Sequence, residues 1–269
     1  MLTLSHPSLQ FVRGFAGAVL FSFPMLMTME MWSLGVSIEP ARLMLFVVVH
    51  LVLLAGMASY ARHDEAVVTT RDVLDAFAAY GVGVLAAVPV LFLFDVVDTG
   101  MSISAITRTI AVQAAPAAFG AMVAHLEIDE PAADIGPGHP HGFASSAFLM
   151  AVGALYLCSS LASTEEMMLI AYKMSVWQIG GLMVFSLVMM QLFDEYAIEQ
   201  DLGGAGGESA WSASLAMTAI GYAIALVISV YILWTFGRTD GLTIAQLVKE
   251  MIVLGFPAAL GAGAARLLF

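Results

Sequence analysis

Long hydrophobic runs alternate with short polar or glycine-containing turns along almost the whole chain. Each run has close to the twenty apolar residues that an α-helix needs to cross a bilayer. The pattern predicts eight transmembrane helices, at 11–35, 42–61, 74–96, 103–125, 144–171, 175–195, 211–237 and 243–267. We therefore expect an all-α polytopic membrane protein.

The second half of the chain repeats the pattern of the first half. A constant offset of 136 residues carries Thr28 onto Thr164 and Glu30 onto Glu166. Each match falls at the same place within its hydrophobic run. Self-similarity of this kind indicates a duplicated structural unit.

The duplication sets the predicted domain boundaries. The segments APAAFGA at 115–121 and FPAALGA at 256–262 also correspond, so we predict two four-helix repeats, at 1–125 and 144–269. The acidic stretch at 126–143, rich in Pro, Gly and His, is predicted to be an aqueous linker. Because four spans return the chain to its starting side, the repeats are expected to be parallel, related by an axis along the membrane normal.

Composition places the chain in the membrane class and removes several functions. Hydrophobic residues make up 61% and charged residues 11%, which is far from the composition of soluble domains. The formal charge of −12 argues against nucleic acid as a partner. The single Cys158 excludes an intramolecular disulfide, and no paired nucleophile and base is visible in the spans. We expect neither an enzyme nor a bound cofactor.

A carboxylate inside an apolar run is the chemical feature that the repeat duplicates. Glu30 and Glu166 each interrupt such a run, and an ionisable group at that position costs on the order of 3 kcal/mol on insertion scales. Such residues usually mark a functional site. Counting residues from the turns places several charges at similar depth near one side of the membrane: Glu30, Glu165, Glu166, Glu250, Arg108 and Lys249.

Two interpretations of these charges stay open. In the first, the charges form structural pairs, with Arg108 near Glu30 or Asp98, and with Lys249 near Glu166 or Glu250, because unpaired bases are costly at that depth. In the second, some of the acids face an aqueous path and bind cations.

The predicted ion pathway starts at the duplicated acids and continues into the first helix. Leu26 and Phe23 share the helical face of Glu30, which is the pattern of a hydrophobic gate below a charged ring. The threonine hydroxyls are expected to bond to the backbone or to neighbouring helices. The full predicted pathway is Glu30, Glu165, Glu166, Thr28, Thr164, Phe23 and Leu26, with Glu30 and Glu166 as the metal ligands.

The stretch SFPMLMTMEMW, at 22–32, resembles the pore helix of Orai calcium channels, whose four-helix subunits place a glutamate above apolar residues and a phenylalanine. The fifth predicted helix departs from this pattern, with Ser159 and Ala162 where bulk would be expected. The resemblance implies calcium as an ion and a ring-forming homo-oligomer. The whole chain also resembles an uncharacterised family of bacterial integral membrane proteins, which implies the inner membrane.

These observations predict a cation-conducting channel, for calcium or another cation, that uses the duplicated glutamates. The alternative is a proton- or sodium-coupled secondary transporter, because parallel repeats with intramembrane acids also suit alternating access. Unwound half-helices at Gly or Pro would favour the transporter, and only Pro116 and Pro257 hint at them.

Overall fold

The structure, a computed structural model, describes residues 7–62, 68–98, 100–129, 143–202 and 208–268. Within these residues the regular structure is entirely α-helical. The helices are α1 (Pro7–Leu26), α2 (Met29–Ser37), α3 (Pro40–Arg62), α4 (Thr70–Leu93), α5 (Ile103–Asp129), α6 (Phe143–Leu161), α7 (Glu165–Lys173), α8 (Val176–Leu202), α9 (Glu208–Thr235) and α10 (Ile244–Leu268). The prediction of an all-α polytopic membrane protein is confirmed.

Seven of the described helices are individually long and apolar enough to span a membrane, and the bent pair formed by α1 and α2 brings the number to eight. Two of the helices predicted from the sequence are not continuous. The predicted helices 11–35 and 144–171 are each broken into a long and a short helix, at Thr28 and at Thr164. The axis of α2 turns by 89° from that of α1.

The chain divides into two compact units, Met1–Ile135 and Gly136–Phe269. Each unit has the same order: a long helix, a short helix and three further long helices. The predicted repeat boundaries and the axis between repeats stay predictions. Most of the predicted linker, residues 130–142, lies outside the described residues.

The last helix is the centre of each unit. In the first unit, α5 packs against α1, α2, α3 and α4, and in the second unit α10 packs against α6, α7, α8 and α9. A proline lies inside each central helix, Pro116 in α5 and Pro257 in α10, and both helices continue through it. The central helix therefore links the short helix of its unit to all the long ones.

Paired glycines let the first helix approach the central helix closely. A Cβ atom on Gly17 or on Gly120 would collide with the backbone oxygen of the other residue. Gly153 and Gly261 meet in the same way in the second unit. Small residues at such crossings allow backbones to come together where lipid supplies no hydrophobic driving force.

The helices before the central ones end in matching turns. Asp95 follows α4 with φ 57°, and Gly237 follows α9 with φ 72°. In both turns a backbone N–H returns to the helix, from Val96 to the Leu91 carbonyl (3.0 Å) and from Arg238 to that of Leu233 (2.8 Å). This left-handed helix ending fixes the backbone position from which the Arg238 side chain extends.

The glycine crossings predict a specific stability effect. We expect Gly120→Ala and Gly261→Ala to destabilise the protein by about 1–3 kcal/mol, because the added methyl group forces two helices apart. Gly180→Ala on α8 is the matched control, since nothing lies within 4 Å of the position that its added methyl group would take. It should be neutral or stabilise by up to about 1 kcal/mol. Thermal melting of the detergent-purified variants measures the difference, and equal melting of all three would contradict the close crossings.

Candidate functional site

The first long helix of each unit ends at a threonine with extended backbone angles. Thr28 has φ −103° and ψ 125°, and Thr164 has φ −76° and ψ 143°. These angles cannot continue an α-helix. The Thr28 hydroxyl donates to the Met25 carbonyl (2.9 Å) and the Thr164 hydroxyl to the Leu161 carbonyl (2.9 Å). The expectation that these hydroxyls bond to the backbone is confirmed.

The predicted pathway acids lie in the first turn of the short helices. Glu30 is in the first turn of α2, and Glu165 and Glu166 open α7. Backbone N–H groups without helical partners and the positive end of the helix dipole favour a carboxylate there, by about 0.3–1 kcal/mol at an exposed site. Glu165 and Glu166 are exposed and Glu30 is partly exposed. The start of the helix therefore stabilises these carboxylates without the need for a basic side chain.

The break also changes the depth expected for Glu30. Helix α1 ends at Leu26 and passes as a membrane span only together with α2. Glu30 belongs to α2, which runs nearly at right angles to α1. The interpretation of Glu30 as an acid within a continuous apolar helix is corrected, because hydropathy does not register a backbone break.

The two bases contact the opposite ends of the short helices. Arg108 on α5 donates to the carbonyl of Ile38 (3.3 Å), and Lys249 on α10 donates to that of Met174 (2.8 Å). Ile38 and Met174 are the C-terminal capping residues of α2 and α7. A cation at this position interacts favourably with unpaired carbonyl groups and the negative end of the helix dipole.

This arrangement differs from the predicted ion pairs. Within the described residues, the side chains of Arg108 and Lys249 donate to backbone carbonyls rather than to a carboxylate. Asp98, a predicted partner of Arg108, instead accepts from the backbone N–H groups of Gly100 and Met101. The duplicated acids and bases thus serve the two ends of the same short helix.

A second donor reaches the break itself in each unit. The Trp32 indole N–H donates to the Leu26 carbonyl at the end of α1 (2.8 Å). In the second unit, the Arg238 guanidinium donates to the carbonyl of Ser163, between α6 and α7. Carbonyl groups freed by a break near a membrane must be satisfied within the protein. The two units meet this need with different side chains.

The two predicted gate residues differ in burial, and their role in a pathway stays a prediction. Leu26 is fully buried, in a cluster with Ala87, Leu91 and Val97. Phe23, three residues earlier on the same helix, is 50% exposed. The shared face was inferred from a helix that continues to Glu30, and that helix ends at Leu26.

Glu250 has a different environment from the other predicted charges. Its side chain on α10 is buried, with 7% relative exposure, although the neighbouring Lys249 reaches Met174. Arg238 is the charged group that acts on it electrostatically. Sequence reasoning missed Arg238 and Ser163 as members of this cluster. A comparison of the two halves could have singled out Arg238, because the first half has the apolar Val96 at the matching position.

The metal-ligand role of Glu30 and Glu166 stays a prediction. In the portion of the chain that the structure describes, no group of three or more His, Cys, Asp or Glu side chains is arranged to hold a metal ion. The acids of the short helices would need oxygen ligands of other kinds, such as carbonyl groups or water, to coordinate a cation.

The contacts of the bases predict which charges support the fold. We expect Arg108→Gln and Lys249→Gln to destabilise the protein by about 1.5–3 kcal/mol, because each removes a hydrogen bond from a charged donor. Glu30→Gln and Glu166→Gln should cost at most about 1 kcal/mol, the value of a charge at a helix start. Thermal melting in detergent provides the comparison.

Lys173→Gln is the matched control, because Lys173 is an exposed base on α7. Its loss should change stability by less than about 1 kcal/mol. A loss of stability in Glu30→Gln as large as that in Arg108→Gln would instead support the structural ion pair.

Comparisons with known proteins identify the family alone. No curated protein and no solved structure matches the chain. The family model described as "Putative integral membrane protein (DUF2391)" matches residues 10–269. This covers nearly the whole sequence, so the chain belongs to that integral membrane protein family.

Proposed function

We propose that the protein moves cations across the membrane as a coupled transporter. The observation that supports this proposal is that the first long helix ends at a threonine in both units and is followed by a short helix with acids in its first turn. In transporters built from repeats, ion sites are typically formed where helices are broken. A rigid pore needs no such break.

The contacts of the short helices are consistent with movement during transport. The C-terminal ends of α2 and α7 are each held by a basic side chain from the central helix of the same unit. Hydrogen bonds of this kind are exchanged more easily than a packed apolar interface. A change in the position of α5 or α10 would therefore be transmitted to the acid-bearing helix.

A passive cation channel is the second candidate. Glu30, Glu165 and Glu166 support it, because their position at the start of short helices leaves them available to a passing ion. Clustered acids raise the local cation concentration at a mouth. This candidate requires a homo-oligomer to enclose a pore, with calcium as one ion to test. Under both candidates, the protein lies in the inner membrane and is not an enzyme.

Flux measurements in liposomes distinguish the candidates. We expect the purified protein to drive uptake of Na⁺, K⁺ or Ca²⁺ against its own gradient when an opposing ion or proton gradient is imposed. Uptake that only follows the gradient of the ion itself would favour the channel. No flux above that of protein-free liposomes for any of these ions, or for protons, would contradict both.

The acids of the short helices provide the matched variants. Glu30→Gln with Glu166→Gln should lower flux by about tenfold, because acids near a site raise the rate of cation capture by that factor or more. Glu39→Gln is the control, since Glu39 is an exposed acid paired with Arg42 (3.3 Å) outside the short helices. Unchanged flux in a folded double variant would remove these acids from the pathway.

A further inference from the structure

The second unit contains a buried polar cluster that the function of the short helices does not explain. We propose that Ser163, Arg238 and Glu250 form a proton-binding site, with Glu250 as the carboxylate that accepts and releases the proton. The role of this site in transport rests on the proposed function. The binding step itself can be measured without transport.

The cluster brings together side chains from three parts of the second unit. Ser163 lies in the break between α6 and α7, Arg238 in the turn after α9, and Glu250 in α10. The guanidinium of Arg238 contacts the Ser163 carbonyl, and its charge acts on Glu250. Ser163 and Glu250 are both more than nine-tenths buried.

Each of the three side chains carries a buried polar atom that has no hydrogen-bond partner within the described residues. These atoms are the Ser163 hydroxyl oxygen, the Arg238 Nε and the Glu250 Oε2. Buried polar groups are nearly always paired, and an exception calls for a water, an ion or a functional role. An acceptor, a donor and a hydroxyl together match a water molecule that can carry a proton.

The chemistry of the cluster fits a proton better than a metal cation. Metal ions such as Ca²⁺ take six or more oxygen ligands, whereas one carboxylate is enough for a proton. Proton binding adds H⁺ from hydronium to the carboxylate, giving the carboxylic acid and water, and release reverses the step.

The other charges near the cluster have separate roles. Among the described side chains of the elements packed against α10, α7 contributes Glu165 and Glu166 at its start and Lys173 at its end, and the turn after α9 also contributes Asp240. Glu195 lies toward the far end of α8. Lys249 is directed to the Met174 carbonyl. Arg238 is the charge that acts on Glu250.

The first unit lacks this arrangement. At the positions that match Ser163, Arg238 and Glu250, it has Met27, Val96 and Thr109. Two of these side chains are apolar and none is charged. Each chain therefore has one proton site of this kind, in the second unit.

Infrared spectroscopy of the purified full-length protein tests proton binding directly. We expect a carboxylic-acid band that appears reversibly as the pH is lowered and that is lost in Glu250→Gln. Glu39→Gln, which changes an exposed acid, should leave this band in place. A band that survives Glu250→Gln, or no band assignable to Glu250 in the unmodified protein, would overturn the site.

A conservative variant distinguishes loss of the proton site from loss of the fold. Glu250→Asp retains a carboxylate with a shorter side chain, so its band should persist at a changed frequency or pH. An unchanged band in Glu250→Asp would also overturn the site. Melting of each variant on the same preparation identifies those that do not fold.

Proton uptake into liposomes containing a pH-sensitive dye tests the role in transport. Under an imposed membrane potential, Glu250→Gln should reduce uptake to the level of protein-free liposomes, and Glu250→Asp should retain part of it. A Glu250 band without flux of any ion would contradict the proposed transport and leave the proton site standing. Transport that persists unchanged in folded Glu250→Gln would overturn the role of the site in coupling.

Discussion

The need to satisfy backbone carbonyl groups where a membrane helix breaks organises both units of this protein. Ending α1 at Leu26 leaves carbonyl groups that have no partner within the helix. Trp32 satisfies one at the break, and Arg108 satisfies another at the end of α2. In a soluble protein water would meet this need at little cost. Near a bilayer the protein must supply long donors, so basic side chains on a central, apolar helix are a consequence of the break.

The class of fold could be predicted from the sequence because its signals are local and strong. Apolar length identified the spans, and the repeat in sequence agrees with two units that share the same helix order. The paired glycines at Gly17 and Gly120 could be expected from small-residue runs, although their contact could not. The break at Thr28 was hidden, because Met27, Met29 and Met31 keep the run apolar while the backbone turns. Hydropathy reports which residues avoid water, not the direction in which the chain continues.

The break that the sequence did not reveal explains why the candidate site was only partly predicted. A continuous helix places Glu30 above Leu26 and Phe23, and it brings acids and bases to the same depth as natural partners. With the break, each acid lies at the start of a short helix and each base contacts its end, about nine residues away along α2 and α7. The sequence identified the charged residues of the site. It could not show which of them lie close together, because their positions depend on one backbone turn.

A comparison of the two units distinguishes the features that the fold requires from those that it does not require. Both units keep the glycine crossing, the left-handed turn before the central helix and a base on the C-terminus of the short helix. These features solve problems of packing and hydrogen bonding that each copy meets alone. Glu250 solves no such shared problem, because Thr109 occupies the matching position in a unit that folds alike. A buried charge that one copy does without is costly to keep. Its retention is better explained by chemistry carried out in the second unit than by the stability of the fold.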